Sequence, residues 1–126
     1  MSDSPARLLV VDDDDAFRHT VSRILTDAGF EVLEANSFAA ALTALDTSAP
    51  VDLLLTDLRL APGTPHGFSM ARVIQSRLPS IKLLFMTGGN ADDFALSRPD
   101  DVVLKKPFRS KELVASVLAA LGRDAG

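Results

Sequence analysis

Four places in this sequence put a chemically useful side chain directly after a short apolar run. Leu8-Leu9-Val10-Val11 leads into Asp12-Asp13-Asp14-Asp15, and Leu53-Leu54-Leu55-Thr56 leads into Asp57. Leu83-Leu84-Phe85-Met86 ends at Thr87-Gly88-Gly89, and Val102-Val103-Leu104 ends at Lys105-Lys106-Pro107. If the runs are neighbouring strands, Asp12, Asp13, Asp57, Thr87 and Lys106 gather at one edge of a sheet. Carboxylates gathered there repel: two unit charges about 4 Å apart cost roughly 4 kcal/mol at an effective dielectric near 20. Such a cluster must hold a proton, a lysine or a divalent cation. Hard carboxylate oxygens select Mg²⁺, with Mn²⁺ or Ca²⁺ as the alternatives. Lys106 supplies a point charge for a carboxylate or a phosphoryl oxygen, and Thr87 a hydroxyl donor. The set reads as phosphoryl transfer to a carboxylate, with a nucleophilic Asp, a metal, and a Lys and Thr that stabilise the transferring group.

The elements that must position these residues are legible between them. Apolar runs without alternation suit strands buried on both faces of a parallel sheet, whereas Glu31-Val32-Leu33-Glu34-Ala35 alternates and reads as an edge strand. Phe17, Val21, Ile24, Leu25 and Ala28 recur at helical spacing after Asp15, the expected N-cap, and Gly29 stops that helix. Ser37 is expected to cap a second helix carrying Phe38, Ala41, Leu42 and Leu45, ending before Pro50. A third carries Phe68, Ala71, Ile74 and Leu78 up to Pro79. Ser110 is expected to cap a last one carrying Leu113, Val114, Val117, Leu118 and Leu121. Only Ala91–Ser97 remains for a helix between the third and fourth runs, so that one is short. The order is (βα)5, an α/β open parallel sheet with helices on both faces, and in such sheets chemistry sits at the carboxyl ends of the strands.

Composition sets the outer bounds. The 126 residues make one domain, and 47% hydrophobic content suits a folded chain that buries roughly two-thirds of its unfolded surface. With no Cys, disulfides, thiol catalysis and iron–sulfur clusters are excluded. The net charge of −4, from 13 basic and 17 acidic residues, argues against a dedicated nucleic-acid binder. No run is long enough to span a membrane and the N-terminus does not read as a signal peptide, so a cytoplasmic protein is expected.

Leu-Val-Val-Asp-Asp-Asp at 9–14, Leu-Leu-Thr-Asp-Leu at 54–58, Met-Thr-Gly at 86–88 and Lys-Lys-Pro-Phe at 105–108, in that order, resemble the receiver domain of two-component response regulators. The resemblance covers about residues 6–121 and implies a flavodoxin-like, doubly wound sheet with strand order 2-1-3-4-5. It implies that Asp57 accepts the phosphoryl group from a sensor histidine kinase or histidine phosphotransfer protein. It also implies Asp13, Asp57 and the backbone carbonyl of Arg59 as direct Mg²⁺ ligands, with Asp12 holding the ion through water. Thr87 would close onto the phosphoryl oxygen, Lys106 would pair with it, and the Lys106–Pro107 bond would be cis. Such a protein signals by phosphorylation-dependent contact with a downstream protein target, as a monomer or weak dimer. Its only catalysis is its own phosphoryl transfer and autodephosphorylation. The chain departs from the family at three places. Val103 stands where a Tyr or Phe is usual, only 18 residues separate Thr87 from Lys106, and the loop 60–67 is long. A subgroup with Thr-Gly after the fourth strand and a reduced helix after it looks similar.

Plainer readings accompany several residues. Asp14 and Asp15 suit helix capping better than metal ligation, Lys105 a solvated charge, and His19 and His66 the surface. Phe17, Phe30, Phe38, Phe68 and Phe85 fall on apolar faces, while Phe94 and Phe108 are placed for exposure, with Phe108 a candidate partner contact. Arg18 and Ser22, taken to face outward on the first helix, are expected to meet the kinase or phosphotransfer partner. Two other functions fit parts of the pattern. A haloacid-dehalogenase-like phosphatase would use Asp12-x-Asp14 as its acid pair but gives Asp57 no role and puts Asp100-Asp101 on the wrong side of Lys106. A pseudo-receiver would keep the fold and act without phosphorylation. Only five residues follow Leu121, so a single receiver domain spanning 1–126 with no effector domain is expected, either a single-domain regulator or a fragment cut from a larger kinase.

Overall fold

Leu8 to Val11 and Leu53 to Leu55 have no exposed surface on either side, as strands without polar alternation require. They belong to a five-stranded parallel sheet in the computed structural model, which describes residues 5–47, 50–58, 67–88 and 102–122. Its strands are β1 (Arg7–Val11), β2 (Glu31–Ala35), β3 (Leu53–Asp57), β4 (Lys82–Thr87) and β5 (Val103–Lys105). The order is β2-β1-β3-β4-β5, with the alternating segment Glu31–Ala35 at an edge as expected. The helices are α1 (Asp15–Asp27), α2 (Phe38–Thr47), α3 (Gly67–Arg77) and α4 (Ser110–Ala120). The short helix expected at 91–97 lies outside the described residues, as do Arg59, the loop through His66, Gly89, Phe94 and the acid pair Asp100-Asp101.

Successive strand residues point to opposite faces, so the sheet carries two cores. Leu8, Val10, Leu53, Leu55, Leu84 and Met86 pack with Val21 and Leu25 of α1 and Leu113 and Val117 of α4. Leu9, Val11, Leu54 and Phe85 pack with Ala41 of α2 and Phe68, Met70, Ala71 and Ile74 of α3. Phe30, Phe68 and Phe85 are core residues as expected, while Phe38 is only partly buried. Val103 lies partly buried against the second core and pairs with Phe85 across the sheet.

The caps differ from expectation at two of three helices. Ser37 caps α2 as expected, its Oγ accepting from the Ala40 N–H at 3.1 Å. The N-cap of α1 is Asp14, not Asp15: its side chain accepts from the Phe17 N–H at 3.0 Å. Asp12 explains the choice, because its Oδ1 accepts the Asp14 N–H at 2.9 Å and turns the chain one residue early. Ser110 is already helical, and Arg109 takes the N-cap with extended backbone. There the Glu112 carboxylate reaches back to accept the Arg109 N–H at 3.0 Å, satisfying a group at the helix start that no cap side chain serves.

Arg18 and Ser22 do not face outward; they are 8% and 7% exposed. With Val21 and Leu25 they occupy positions i, i+3, i+4 and i+7, which is one stripe of a helix, and that stripe packs on the sheet. Arg18 tolerates burial because its guanidinium finds three oxygen acceptors. Its Nη1 meets the Asp12 carbonyl at 2.9 Å and Asp15 Oδ1 at 2.8 Å, and its Nε meets Glu34 Oε1 at 2.9 Å. Burial works against its charge, but the hydrogen bonds it donates to Asp15 and Glu34 more than offset that and hold its pKa above the ordinary value. The Ser22 hydroxyl has no hydrogen-bond partner among the described residues.

Candidate functional site

Strand register brings the expected residues together. Val11 lies opposite Thr56, Asp57 opposite Met86, and Thr87 opposite Lys105. One step further along each strand, Asp12, Asp57, Thr87 and Lys106 therefore share the carboxyl edge of the sheet. The Lys106 N–H donates to the Thr87 carbonyl at 2.7 Å, fixing the turn into the cis Lys106–Pro107 bond that was expected. From there the Lys106 ammonium reaches back across the sheet, 2.9 Å from Asp57 Oδ2 and 3.1 Å from Asp12 Oδ2. Thr87 is fully buried, Asp12 has no exposed surface, Asp57 is 9% exposed, and Asp13 is open to solvent.

Charge at this edge is unbalanced. Ligand oxygens of Asp12, Asp13 and Asp57 lie within 4.8 Å of one another, three carboxylates against one ammonium. Burial pushes the Asp12 carboxyl above the usual range, and the Asp57 charge adds to that. The Asp14 N–H and Lys106 pull the other way without restoring it. For Lys106, burial lowers the pKa, yet the hydrogen bond and charge of Asp57 and the charge of Asp12 outweigh it, so the net shift is upward. Lys106 therefore stays an ammonium at neutral pH. The donor set fits Mg²⁺, Mn²⁺ or Ca²⁺: hard oxygens close enough to share one ion, with exposed Asp13 leaving room for water in its shell.

Four residues outside the expected set shape this edge. After Asp57, Leu58 donates its N–H to the Met86 carbonyl at 2.9 Å and accepts from the Gly67 N–H at 2.8 Å, which clamps the strand end to the start of α3. A Cβ at Gly67 would come within 2.5 Å of the Asp57 carbonyl oxygen, so only glycine fits there. Arg18 holds the Asp12 carbonyl from below. Phe17, expected as core, is only partly buried and lies with its ring centroid 4.2 Å from the Lys106 ammonium. Phe108 is partly buried and makes an edge-type contact with Phe17, centroids 5.8 Å apart. His19 is exposed as expected, 2.9 Å from Glu34. Buried Arg18 could have been found from its place on the Val21–Leu25 stripe; Gly67 and Phe17 carried no distinct sequence signal.

Residues 8–118 match the response regulator receiver domain family. The chain is 37% identical over 120 residues to the DNA-binding response regulator MtrA of Mycolicibacterium smegmatis, covering 94% of this chain and 51% of that protein. It thus spans about half the length of that curated relative. Among solved structures, a response regulator receiver protein from Sinorhizobium medicae superposes with a TM-score of 0.84 at 32% identity, covering 96% of this chain and 98% of that one. The receiver domain of the hybrid histidine kinase CckA gives a TM-score of 0.75 at 29% identity, covering 92% and 99%. Motif order, strand order and these likenesses agree, and the chain belongs to the receiver domain family of two-component response regulators.

Proposed function

We propose that Asp57 is the phosphoacceptor and that the chain takes its phosphoryl group from a phosphohistidine on a sensor histidine kinase or a histidine phosphotransfer protein. The observation that carries this reading is the Lys106 ammonium held between the Asp57 and Asp12 carboxylates at the strand ends. In the step, an Asp57 carboxylate oxygen forms a bond to phosphorus while the phosphorus–nitrogen bond of the donor breaks, and the imidazole leaves with a proton. Asp13, Asp57 and the Arg59 carbonyl would hold Mg²⁺ directly and Asp12 through water. The ion would neutralise charge on the transferring group. Lys106 stays beside Asp57 and pairs with the oxygen charge that arrives there, and the Thr87 hydroxyl closes onto the phosphoryl group.

A partner meeting α1 would face its exposed residues, His19, Thr20 and Arg23, in place of the buried Arg18 and Ser22. The output is a phosphorylation-dependent contact with a protein target in the cytoplasm, and the catalysis is confined to the chain's own phosphoryl transfer and dephosphorylation. Incubation with acetyl phosphate or phosphoramidate and Mg²⁺ tests the reading. The wild type should gain the mass of one phosphoryl group, and Asp57→Asn or added EDTA should abolish the gain. An unmodified wild type, under conditions that label a control receiver, overturns it.

A further inference from the structure

Lys106 has a third partner that neither its sequence context nor its expected role calls for. Its ammonium sits 4.2 Å from the centroid of Phe17, on the face of the ring, while it bonds Asp57 at 2.9 Å and Asp12 at 3.1 Å. An aromatic face carries partial negative charge and attracts a cation, most strongly where water is kept away. Lysine is otherwise poorly suited to hold one position, because its four-carbon stem is flexible and its ammonium is satisfied by any nearby anion or water.

The placement of the ring is itself built in. Phe17 is the residue whose N–H is taken by the Asp14 cap at 3.0 Å, so the acidic turn that carries Asp12 and Asp13 also sets the helical phase of Phe17. The ring is also braced by Phe108, in a T-shaped contact at 5.8 Å and 73°. Phe108 is two residues beyond Lys106, so a single β5–α4 connection supplies both the cation and the brace.

We propose that Phe17 is a positioning residue for phosphoryl transfer: its ring face holds the Lys106 ammonium beside Asp57 through a cation–π contact, braced by Phe108. The proposal rests on the reading of Asp57 as phosphoacceptor. Without the ring, the ammonium is free to leave the Asp57 side whenever the charge on Asp12 or Asp57 is met by a metal ion. The ring keeps it in reach of the incoming phosphoryl oxygens.

Two measurements test this on the full chain. In NMR spectra of the wild type, the ε-methylene protons of Lys106 should be shifted upfield by the ring current of Phe17, and the shift should vanish in Phe17→Leu. For the rate with acetyl phosphate and saturating Mg²⁺, Phe17→Leu should phosphorylate about three- to tenfold more slowly, and Phe17→Trp should restore the rate. Replacing Phe17 with pentafluorophenylalanine keeps the shape of the ring and reverses its electrostatics, so it decides the matter even if Phe17→Leu folds poorly. A loss of rate like that expected for the leucine variant supports the cation–π role. A fluorinated protein as fast as wild type, or Lys106 protons that are not shifted, overturns it. A wild type that takes up no phosphoryl group fails the Asp57 reading instead, which keeps the two failures distinct.

Discussion

Asp12 is buried with a carboxylate neighbour, and burial makes its charge unwelcome before any metal arrives. Its raised pKa means that the folded chain binds this proton more readily than the unfolded chain. Stability from this group is therefore gained as pH falls through its folded pKa down to the ordinary carboxyl value, and its ionised form is a standing cost above that range. Asp12→Asn should accordingly raise the melting temperature of the metal-free protein by a few degrees at neutral pH. The same change should weaken Mg²⁺ binding about 10–100-fold, the cost typical of losing a group that supports a metal through its outer shell. Lys106 works in the other direction. Its raised pKa contributes stability that is fully present below the ordinary lysine value of about 10.4 and is lost as pH rises through the folded pKa. Thermal melts in EDTA across neutral and alkaline pH, with Mg²⁺ titrations by calorimetry, check both. A lower melting temperature for Asp12→Asn at neutral pH contradicts the first.

Four of the five strands each contribute one residue to the site through the way they end. β1 stops at Val11 and delivers Asp12, β3 ends on Asp57, β4 ends on Thr87, and β5 hands over to Lys106. The α3 start contributes by omission, since Gly67 leaves the space that the Asp57 carbonyl occupies. Gly67→Ala must push α3 or the β3 end aside, at about 1–3 kcal/mol for overpacking. The expected outcome is a lower midpoint in urea and slower phosphorylation of Asp57. A variant with unchanged stability and rate would show that the clamp at Leu58 can yield.

Strand ends were readable in sequence because an apolar run followed by a polar residue marks both the strand and the edge where it stops. Helix starts were less so: several consecutive aspartates offer more than one cap, and only the hydrogen bond from Asp14 to Asp12 chooses between them. Arg18 was misread for a different reason. A charged residue is assigned to solvent by default, yet its guanidinium finds Asp12 and Asp15 close by in the chain, and Glu34 once α1 lies against β2.

At the scale of the whole molecule, the two cores on opposite faces of the sheet serve one purpose, which is to hold four strand ends in register. The strand order was implied by the family resemblance, and the structure has it. Close approaches such as Gly67 against Asp57, and the ring of Phe17 over Lys106, depend on helices landing on that frame and leave no pattern in one sequence. The central claim concerns which carboxylate at the shared edge receives the phosphoryl group. Borohydride reduces an acyl phosphate to an alcohol and so converts a phosphorylated aspartate into homoserine, which marks the acceptor permanently. The wild type should therefore be phosphorylated with acetyl phosphate and Mg²⁺, reduced, digested and sequenced by tandem mass spectrometry. Homoserine at position 57 alone is the predicted result; homoserine at 12 or 13, or at no position in a protein that had gained the phosphoryl mass, contradicts it.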